Sequence, residues 1–192
     1  VLCMQALVVY PTLLFFIAKV NPIIYLRKMR EPFLVAFSTA SSGATMPVTL
    51  RTVKEKLGVD NKVASFAVPL GTTVNMDGTA IMQGVATVFI AQFYGIDLSV
   101  NAYLMVILTA TMVSIGAAGV PGVGIVMLSM VLAQAGLPVE GIGLIIGVDR
   151  LLDMMRTIVN VAGDGMVATS IAASEGQLDK ETFNDKVKIS IK

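Results

Sequence analysis

The chain has 192 residues, 55% of them apolar and only 14% charged, with no Trp and no His. A soluble domain carries about 25% charged residues, so the composition excludes an ordinary soluble domain and predicts an integral membrane protein. A net charge of +1 argues against nucleic acid as a partner, the lack of His removes the commonest proton shuttle, and one cysteine, Cys3, allows no internal disulfide.

The first apolar stretch, residues 1–20, is long enough to be a transmembrane helix, since about 20 residues cross about 30 Å of hydrocarbon. It opens on Val1 without an initiator Met or a signal-peptide n-region, so the chain is expected to be the C-terminal portion of a longer polypeptide. Residues 31–58 hold an uncharged run, Phe33 to Leu50, cut in its middle by Ser38-Thr39-Ala40-Ser41-Ser42-Gly43-Ala44-Thr45-Met46-Pro47. Residues 62–94 read as a span broken at Asn75-Met76-Asp77-Gly78-Thr79; the only charges between Val63 and Val139 are Asp77 and Asp97. Residues 102–137 are cut by Ser114-Ile115-Gly116-Ala117-Ala118-Gly119-Val120-Pro121-Gly122-Val123-Gly124. Each cut run leaves arms of roughly 5–13 residues, most too short to span singly, so two re-entrant hairpins are predicted. Broken backbone at membrane depth survives only where protein or water satisfies it, so both tips are expected to line a cavity.

The last apolar helix, expected at 141–174, carries Asp149, Asp153, Arg156, Asn160 and Asp164. At 100° per residue these fall within an arc of about 80°. A charge at the bilayer centre costs roughly 2.5–3.5 kcal/mol on insertion scales, so the stripe needs partners or a ligand. Internal ion pairs that only join helices are one reading. Both signs together with Thr157 and Asn160 point instead to a site for a zwitterion and a cation.

Basic residues set the topology. Arg27, Lys28 and Arg30 precede the first hairpin and Arg51, Lys54, Lys56 and Lys62 follow it, which puts both flanks on the cytoplasmic side. The flanks of the second hairpin, Tyr94–Asn101 and Gly136–Gly141, hold no Lys or Arg and read as external. The tail, 175–192, carries Lys180, Lys186, Lys188 and Lys192 and reads as cytoplasmic. The order hairpin, broken span, hairpin, span is an inverted repeat, in which Pro47 and Pro121 close the tips and Asn75-Met-Asp-Gly78-Thr79 answers Asn160-Val-Ala-Gly163-Asp164. Paired hairpins and broken helices meeting near the midplane are a secondary-transporter arrangement. The fold class is therefore all-α integral membrane.

Ser41-Ser42…Thr45-Met46-Pro47, Asn75-Met76-Asp77-Gly78-Thr79, Gly119-Val120-Pro121-Gly122 and Asp153-x-x-Arg156-Thr157-x-x-Asn160-x-x-x-Asp164 resemble the sodium-coupled glutamate/aspartate transporters. That family includes excitatory amino acid transporters, neutral amino acid exchangers and prokaryotic dicarboxylate/amino acid:cation symporters. The resemblance runs from the sixth transmembrane helix to the eighth; the first five helices, with the trimerisation scaffold, are not in this chain. It implies a symporter of the cell membrane that imports an acidic amino acid with sodium by alternating access, as an elevator within each protomer of a homotrimer.

The resemblance also implies roles. Asp153 pairs with the substrate ammonium and Arg156 offers a two-pronged donor to its side-chain carboxylate. Thr79 bonds the same group, while Asn160 and the backbone around Ser42 in the first tip hold the α-carboxylate; Ser41, Gly119, Val120 and Gly124 are further substrate-binding positions. For Arg156 the alternative is a structural bridge to Asp149 or Asp153; for Thr157, a bond to its own helix backbone rather than a part in binding. Sodium wants oxygen ligands. Asn75, Asn160, Asp164 and carbonyls near Gly71 resemble one family sodium site, and Asn75 with Asp77 part of another. Carbonyls of Thr73, Ser114, Ile115 and Ala117, with the Met76 region, resemble a third. No cofactor other than the coupling ions is implied.

Some positions depart from the family. Ala40 and Met154 stand where different members carry an arginine, Gly43 replaces a frequent serine, and Arg150 lies one turn before Asp153. Gln83 replaces the glutamate of animal carriers, which implies that neither proton nor potassium coupling is used. The glycines around Pro121 read as a mobile external gate or as close helix packing. A channel has no need of a guanidinium–carboxylate pair shaped for a zwitterion, and a hydrolase using Ser41 or Ser42 lacks a His to activate it. Within the family, carriers of C4-dicarboxylates or neutral amino acids, or proton-coupled ones, are the alternatives.

Overall fold

The computed structural model describes residues 1–117 and 119–185. Ala118, in the second tip, and the tail residues Lys186, Lys188 and Lys192 lie outside the described residues. The described residues are helical, apart from turns and one isolated antiparallel bridge between Val59 and Leu178.

Among the described residues ten α-helices follow in order. Helix α1, Leu2–Ala18, alternates α and π turns and stops at Lys19, which is left-handed at φ 53°. Helix α2, Pro22–Lys28, is capped by Asn21 and turns 116° away from α1. A short side-chain acceptor ahead of a proline at the first helical position is a strong start signal. Helix α3, Arg30–Thr39, ends on Ala40, also left-handed at φ 50°. Helix α4, Ser42–Glu55, starts at once, because the Ser41 hydroxyl accepts the Ala44 N–H at 3.1 Å. The first break is therefore only Ala40–Ser41, narrower than the Ser38–Pro47 cut expected from sequence. The Ser/Gly run forms the opening turns of a capped helix, and Pro47 sits inside it.

Asp60 caps α5, Asn61–Val74. The chain leaves helical geometry at Asn75 and Met76 and re-enters as α6, Asp77–Phe93. Helix α7, Val100–Ile115, is capped by Ser99; α8, Val123–Gln134, starts from Gly122 at φ 78°. A 3₁₀ turn at Val139–Ile142 leads into α9, Gly143–Ser174, the longest helix described, and α10, Lys180–Asn184, follows.

Among the described residues no single helix is both long and apolar enough to cross a membrane; the bent pair α1 and α2 meets length and composition together. Helix α9 has the length but carries the charged stripe, and α7 and α8 are apolar but short. Large apolar side chains such as Phe66, Phe93, Leu104, Ile107, Val126 and Leu151 are exposed. A surface of this kind faces lipid or other protein segments.

Helix α9 is the axis of the fold, packing against α1, α3, α4, α5 and α6. Its C-terminal half, with Val161, Ala162, Ala168 and Ala172, joins a core built from Tyr10, Leu14, Tyr25, Met29, Val53, Leu57, Val68 and Phe183. Its N-terminal end contributes Ile145 to a second core with Met82, Ala86, Ile90, Leu128 and Leu132. The polar stripe lies between the two cores. That is what buries it.

Candidate functional site

Three backbone breaks converge on the middle of α9. Ala40, Ser42, Met76, Thr79, Gly119, Val120, Val123, Asp153, Arg156, Thr157 and Asn160 line one cavity. It draws on the α3–α4 break, the α5–α6 break, the α7–α8 break and the stripe. Its free volume is only about 10 Å³, roughly that of one water. Side chains therefore pack nearly to contact, and anything larger than a water enters only if a side chain swings or a tip moves.

Arg156 sits at the bottom, 2% exposed. Its Nε donates to Asp153 Oδ1 at 3.0 Å and its Nη1 to Asp149 Oδ1 at 3.4 Å. Both structural bridges weighed from sequence are thus present. Yet Nη2 is buried with no partner. A buried guanidinium nitrogen without an acceptor is costly. Asp153 is shared: its Oδ2 accepts the Gly122 N–H at 2.8 Å, so the α7–α8 tip docks on it. Gly124 packs on the same guanidinium; a Cβ there would lie 2.2 Å from Nη1.

Asn160 joins the cavity to a second polar cluster. Its Oδ1 accepts the Gly78 N–H at 2.7 Å and its Nδ2 donates to Thr79 Oγ1 at 3.3 Å. Its backbone carbonyl accepts from Asn75 Nδ2 at 3.1 Å, and that same amide donates to Asp164 Oδ1 at 3.0 Å. The close fit needs Gly78, since a Cβ there would stand 2.4 Å from the Arg156 carbonyl. Asp164 also lies against Gly71. The expected set Gly71, Asn75, Asn160 and Asp164 is therefore brought together, although the Gly71 carbonyl already accepts the Asn75 N–H at 2.7 Å.

The two tips touch. The Ser41 hydroxyl and the Gly43 N–H both donate to the Gly119 carbonyl, at 2.6 and 3.0 Å. The third expected set is looser. Helix α5 touches α7, and Gly119 abuts the Thr72 carbonyl. Thr73, however, is exposed and turns its hydroxyl back onto Pro69, Ile115 is half exposed, and the Ser114 carbonyl accepts the Ala117 N–H. These residues are neighbours by element rather than a closed shell. The Thr157 hydroxyl bonds the Asp153 carbonyl at 2.8 Å, the local alternative weighed above. Gln83 is fully buried, and neither of its amide atoms has a partner.

Sequence reasoning did not single out Gln5, Tyr10, Met82 and Val123. Met82 Sδ accepts from Arg156 Nη1 at 3.6 Å, while Gln5 and Tyr10 donate to Asp77 Oδ2. Contacts 67 and 72 residues apart in sequence leave no periodic signal along the chain.

Residues 1–174 match the sodium:dicarboxylate symporter family. The chain is 46% identical over 167 residues to an excitatory amino acid transporter of Caenorhabditis elegans, covering 87% of this chain and 33% of that protein. It is 43% identical over 190 residues to excitatory amino acid transporter 3 of Mus musculus, covering 99% and 36%. It is also 43% identical over 171 residues to excitatory amino acid transporter 5 of Homo sapiens, covering 89% and 30%. The chain thus spans about a third of the length of these relatives. With the family match running through the whole of α9, the chain belongs to the sodium:dicarboxylate symporter family.

Proposed function

We propose that this chain is the substrate- and ion-binding part of a secondary active symporter that imports an acidic amino acid, L-aspartate or L-glutamate, coupled to sodium. The observation that carries the reading is the buried Arg156, paired on two edges by Asp149 and Asp153 and left with an unpartnered Nη2. A guanidinium fork takes a carboxylate on two N–H groups, and Asp153 next to it takes an ammonium. The names of the relatives, excitatory amino acid transporters, agree with that pairing.

The sequence of events follows from shared partners. The substrate ammonium replaces the Gly122 N–H on Asp153 Oδ2, so the α7–α8 tip must let go for the substrate to enter and re-form around it. The α-carboxylate meets the Asn160 amide and the backbone at Ser42, and Thr79 and Arg156 hold the side-chain carboxylate. Sodium binds among Asn75, Asn160, Asp164 and the Gly71 carbonyl; at Asn75 and Asp77; and at carbonyls of Thr73, Ser114, Ile115 and Ala117 near Met76. Asn160 contacts both layers, so occupying one orders the other, which is the linkage a symporter needs. Gln83 offers no titratable group at its position in α6, so neither proton nor potassium coupling is assigned there.

On this reading the α3–α4 and α7–α8 pairs are re-entrant hairpins from opposite sides and form an inverted repeat with the broken span 62–94 and α9. The C-terminus is cytoplasmic, and the protein is a homotrimer of the cell membrane joined through segments preceding this part. The test is L-aspartate binding to the purified full-length protein, titrated at several sodium concentrations with choline as replacement. Affinity that climbs steeply with sodium supports the symporter; tight binding indifferent to sodium overturns sodium coupling. No binding of aspartate or glutamate, with binding of succinate or serine, moves the substrate to a dicarboxylate or a neutral amino acid.

A further inference from the structure

Helix α1 makes a contact that a regular helix cannot. Gln5 and Tyr10 are five residues apart, and in an α-helix they would point about 140° away from each other. Residues Gln5–Val9 form a π turn, and the Tyr10 N–H bonds the Gln5 carbonyl across i→i+5. That closure brings residues five apart onto one face; such turns occur mostly singly within α-helices and often at functional positions. Both side chains end on one atom. Tyr10 Oη donates to Asp77 Oδ2 at 2.9 Å, and Gln5 Nε2 donates to the same oxygen at 3.2 Å.

The surroundings make this more than a surface contact. Tyr10 is 1% exposed. A Cβ on Gly163 would lie 2.8 Å from the Tyr10 hydroxyl and 2.3 Å from Asn75 Nδ2, so both groups press on the same point of α9. Asn75 in turn holds Asp164 and the Asn160 carbonyl. The hydroxyl of α1 thus closes the far side of the polar layer at the α5–α6 break. Both donors to Asp77 are neutral. They fix one oxygen without cancelling the charge, whereas a Lys or Arg in their place would neutralise it.

We infer that Tyr10 and Gln5 are positioning residues, brought to Asp77 by the π turn, that hold its carboxylate with one oxygen satisfied and the other presented to a hard monovalent cation. A ligand fixed in advance spends less free energy on ordering when the ion arrives, and outer-shell partners of a metal ligand are worth about 10–100-fold in affinity. The inference rests on the reading of Asp77 as a sodium ligand. It adds α1, far away in sequence, to the ion machinery.

The test uses the full-length protein and two readouts: the sodium concentration giving half-maximal aspartate binding, and the aspartate affinity at saturating sodium. Tyr10→Phe keeps the ring and removes only the hydroxyl. It should raise the half-maximal sodium concentration about tenfold and leave aspartate affinity at saturating sodium within twofold. Gln5→Met should raise the sodium requirement about threefold, and it carries the test alone if Tyr10→Phe fails to fold. In an Asp77→Asn background, Tyr10→Phe should add nothing, because the group it positions is gone. If Asp77→Asn shifts the sodium titration but neither Tyr10→Phe nor Gln5→Met does, the positioning role is overturned and the sodium reading stands. An Asp77→Asn titration that matches the parent overturns the sodium reading of Asp77. A raised sodium requirement accompanied by a comparable loss of aspartate affinity at saturating sodium would assign Tyr10 a structural role only.

Discussion

The two helix pairs that meet over Arg156 are held in opposite ways. In the α3–α4 pair, Glu31 at the start of α3 bonds Arg51 and Lys56 at the far end of α4, the latter at 2.9 Å. Lys28, 2% exposed, donates to the carbonyls of Lys56 and Thr182 at 2.8 and 2.7 Å and lies over the Phe183 ring. The segment after α9 is stitched to the turn after α4, by Asp60 N–H on the Gln177 carbonyl and Asp179 N–H on the Gly58 carbonyl. In the α7–α8 pair, the hydroxyls of Thr111, Ser114 and Ser129 bond only their own helices, and Leu104, Ile107, Leu108 and Met130 are exposed. Apart from apolar packing of Leu128 and Leu132 on α6, the polar links of that pair to the proposed binding residues are at its tip. Backbone N–H and C=O groups at Gly122 and Gly119 are replaceable by substrate or water, whereas a buried ammonium on two carbonyls is not. The difference predicts a fixed pair and a moving one.

The strongest way to break the comparison is to join the tips. A Cβ on Gly119 would lie 3.1 Å from Ser42 Cβ, close to the spacing a disulfide needs, about 3.5–4.5 Å. With Cys3 replaced by Ser to remove the exposed thiol, oxidised Ser42→Cys/Gly119→Cys should lose exchange of labelled aspartate completely and regain it on reduction. Exchange that continues in the cross-linked protein would mean that the α7–α8 tip is not the gate.

The next effect separates the two pairs by one methyl group each. Gly124→Ala puts a carbon 2.2–2.4 Å from three guanidinium atoms of Arg156, which must leave Asp149 and Asp153 to make room. Aspartate affinity should fall about 100-fold, in line with the 2–5 kcal/mol cost of breaking a buried charge pair. Gly43→Ala in the other tip meets the Gly119 carbonyl at 3.3 Å and the Ser41 hydroxyl at an ordinary 3.8 Å, and affinity should change about threefold or less. Equal losses in the two variants would remove the asymmetry at the level of the site.

The legible and illegible parts of this molecule divide along the same physical line. The stripe on α9 could be read because i, i+4 and i+3 spacing is fixed by helix geometry, and four short motifs identified the family. The breaks at Asn75–Met76 and around Gly119 announced themselves through Asn, Gly and Pro. The extent of the first break did not: Ser41 caps a helix that absorbs Pro47, and only the hydroxyl contact to Ala44 reveals it. Nor could the Asp77 partners be read. Gln5 and Tyr10 align only if the helix carries a π turn, and local sequence does not specify one here. The Lys28 clamp was equally hidden, since a lysine in a basic cluster reads as a topology signal, and its burial depends on Phe183 arriving from the other end of the chain.

A smaller effect sharpens the fixed half of the comparison. Lys28→Met keeps the length of the side chain but leaves the Lys56 and Thr182 carbonyls without their donor. Stability should fall by about 2–3 kcal/mol, the cost of unsatisfied buried polar groups, seen as a lower Tm. Aspartate affinity below the transition should stay within twofold. If affinity fell with stability, the clamp would reach the binding residues and the α3–α4 pair would not be an independent frame.

The smallest effect comes from the outer end of the same pair. Glu31 bonds Lys56 and Arg51, but their side chains are 34%, 25% and 54% exposed. Solvent screens such pairs, and exposed ion pairs are worth about 0–1 kcal/mol. Glu31→Gln should therefore lower stability by less than about 1 kcal/mol, and the difference from the parent should shrink as salt is raised towards 1 M, where the screening length is about 3 Å. Lys28→Met should show a weaker salt dependence, because its ammonium is 2% exposed and bonds two backbone carbonyls away from the salt solution. A Lys28 effect more salt-sensitive than the Glu31 effect would exchange the two residues: the buried ammonium would then be incidental and the exposed network would be what fixes the α3–α4 pair.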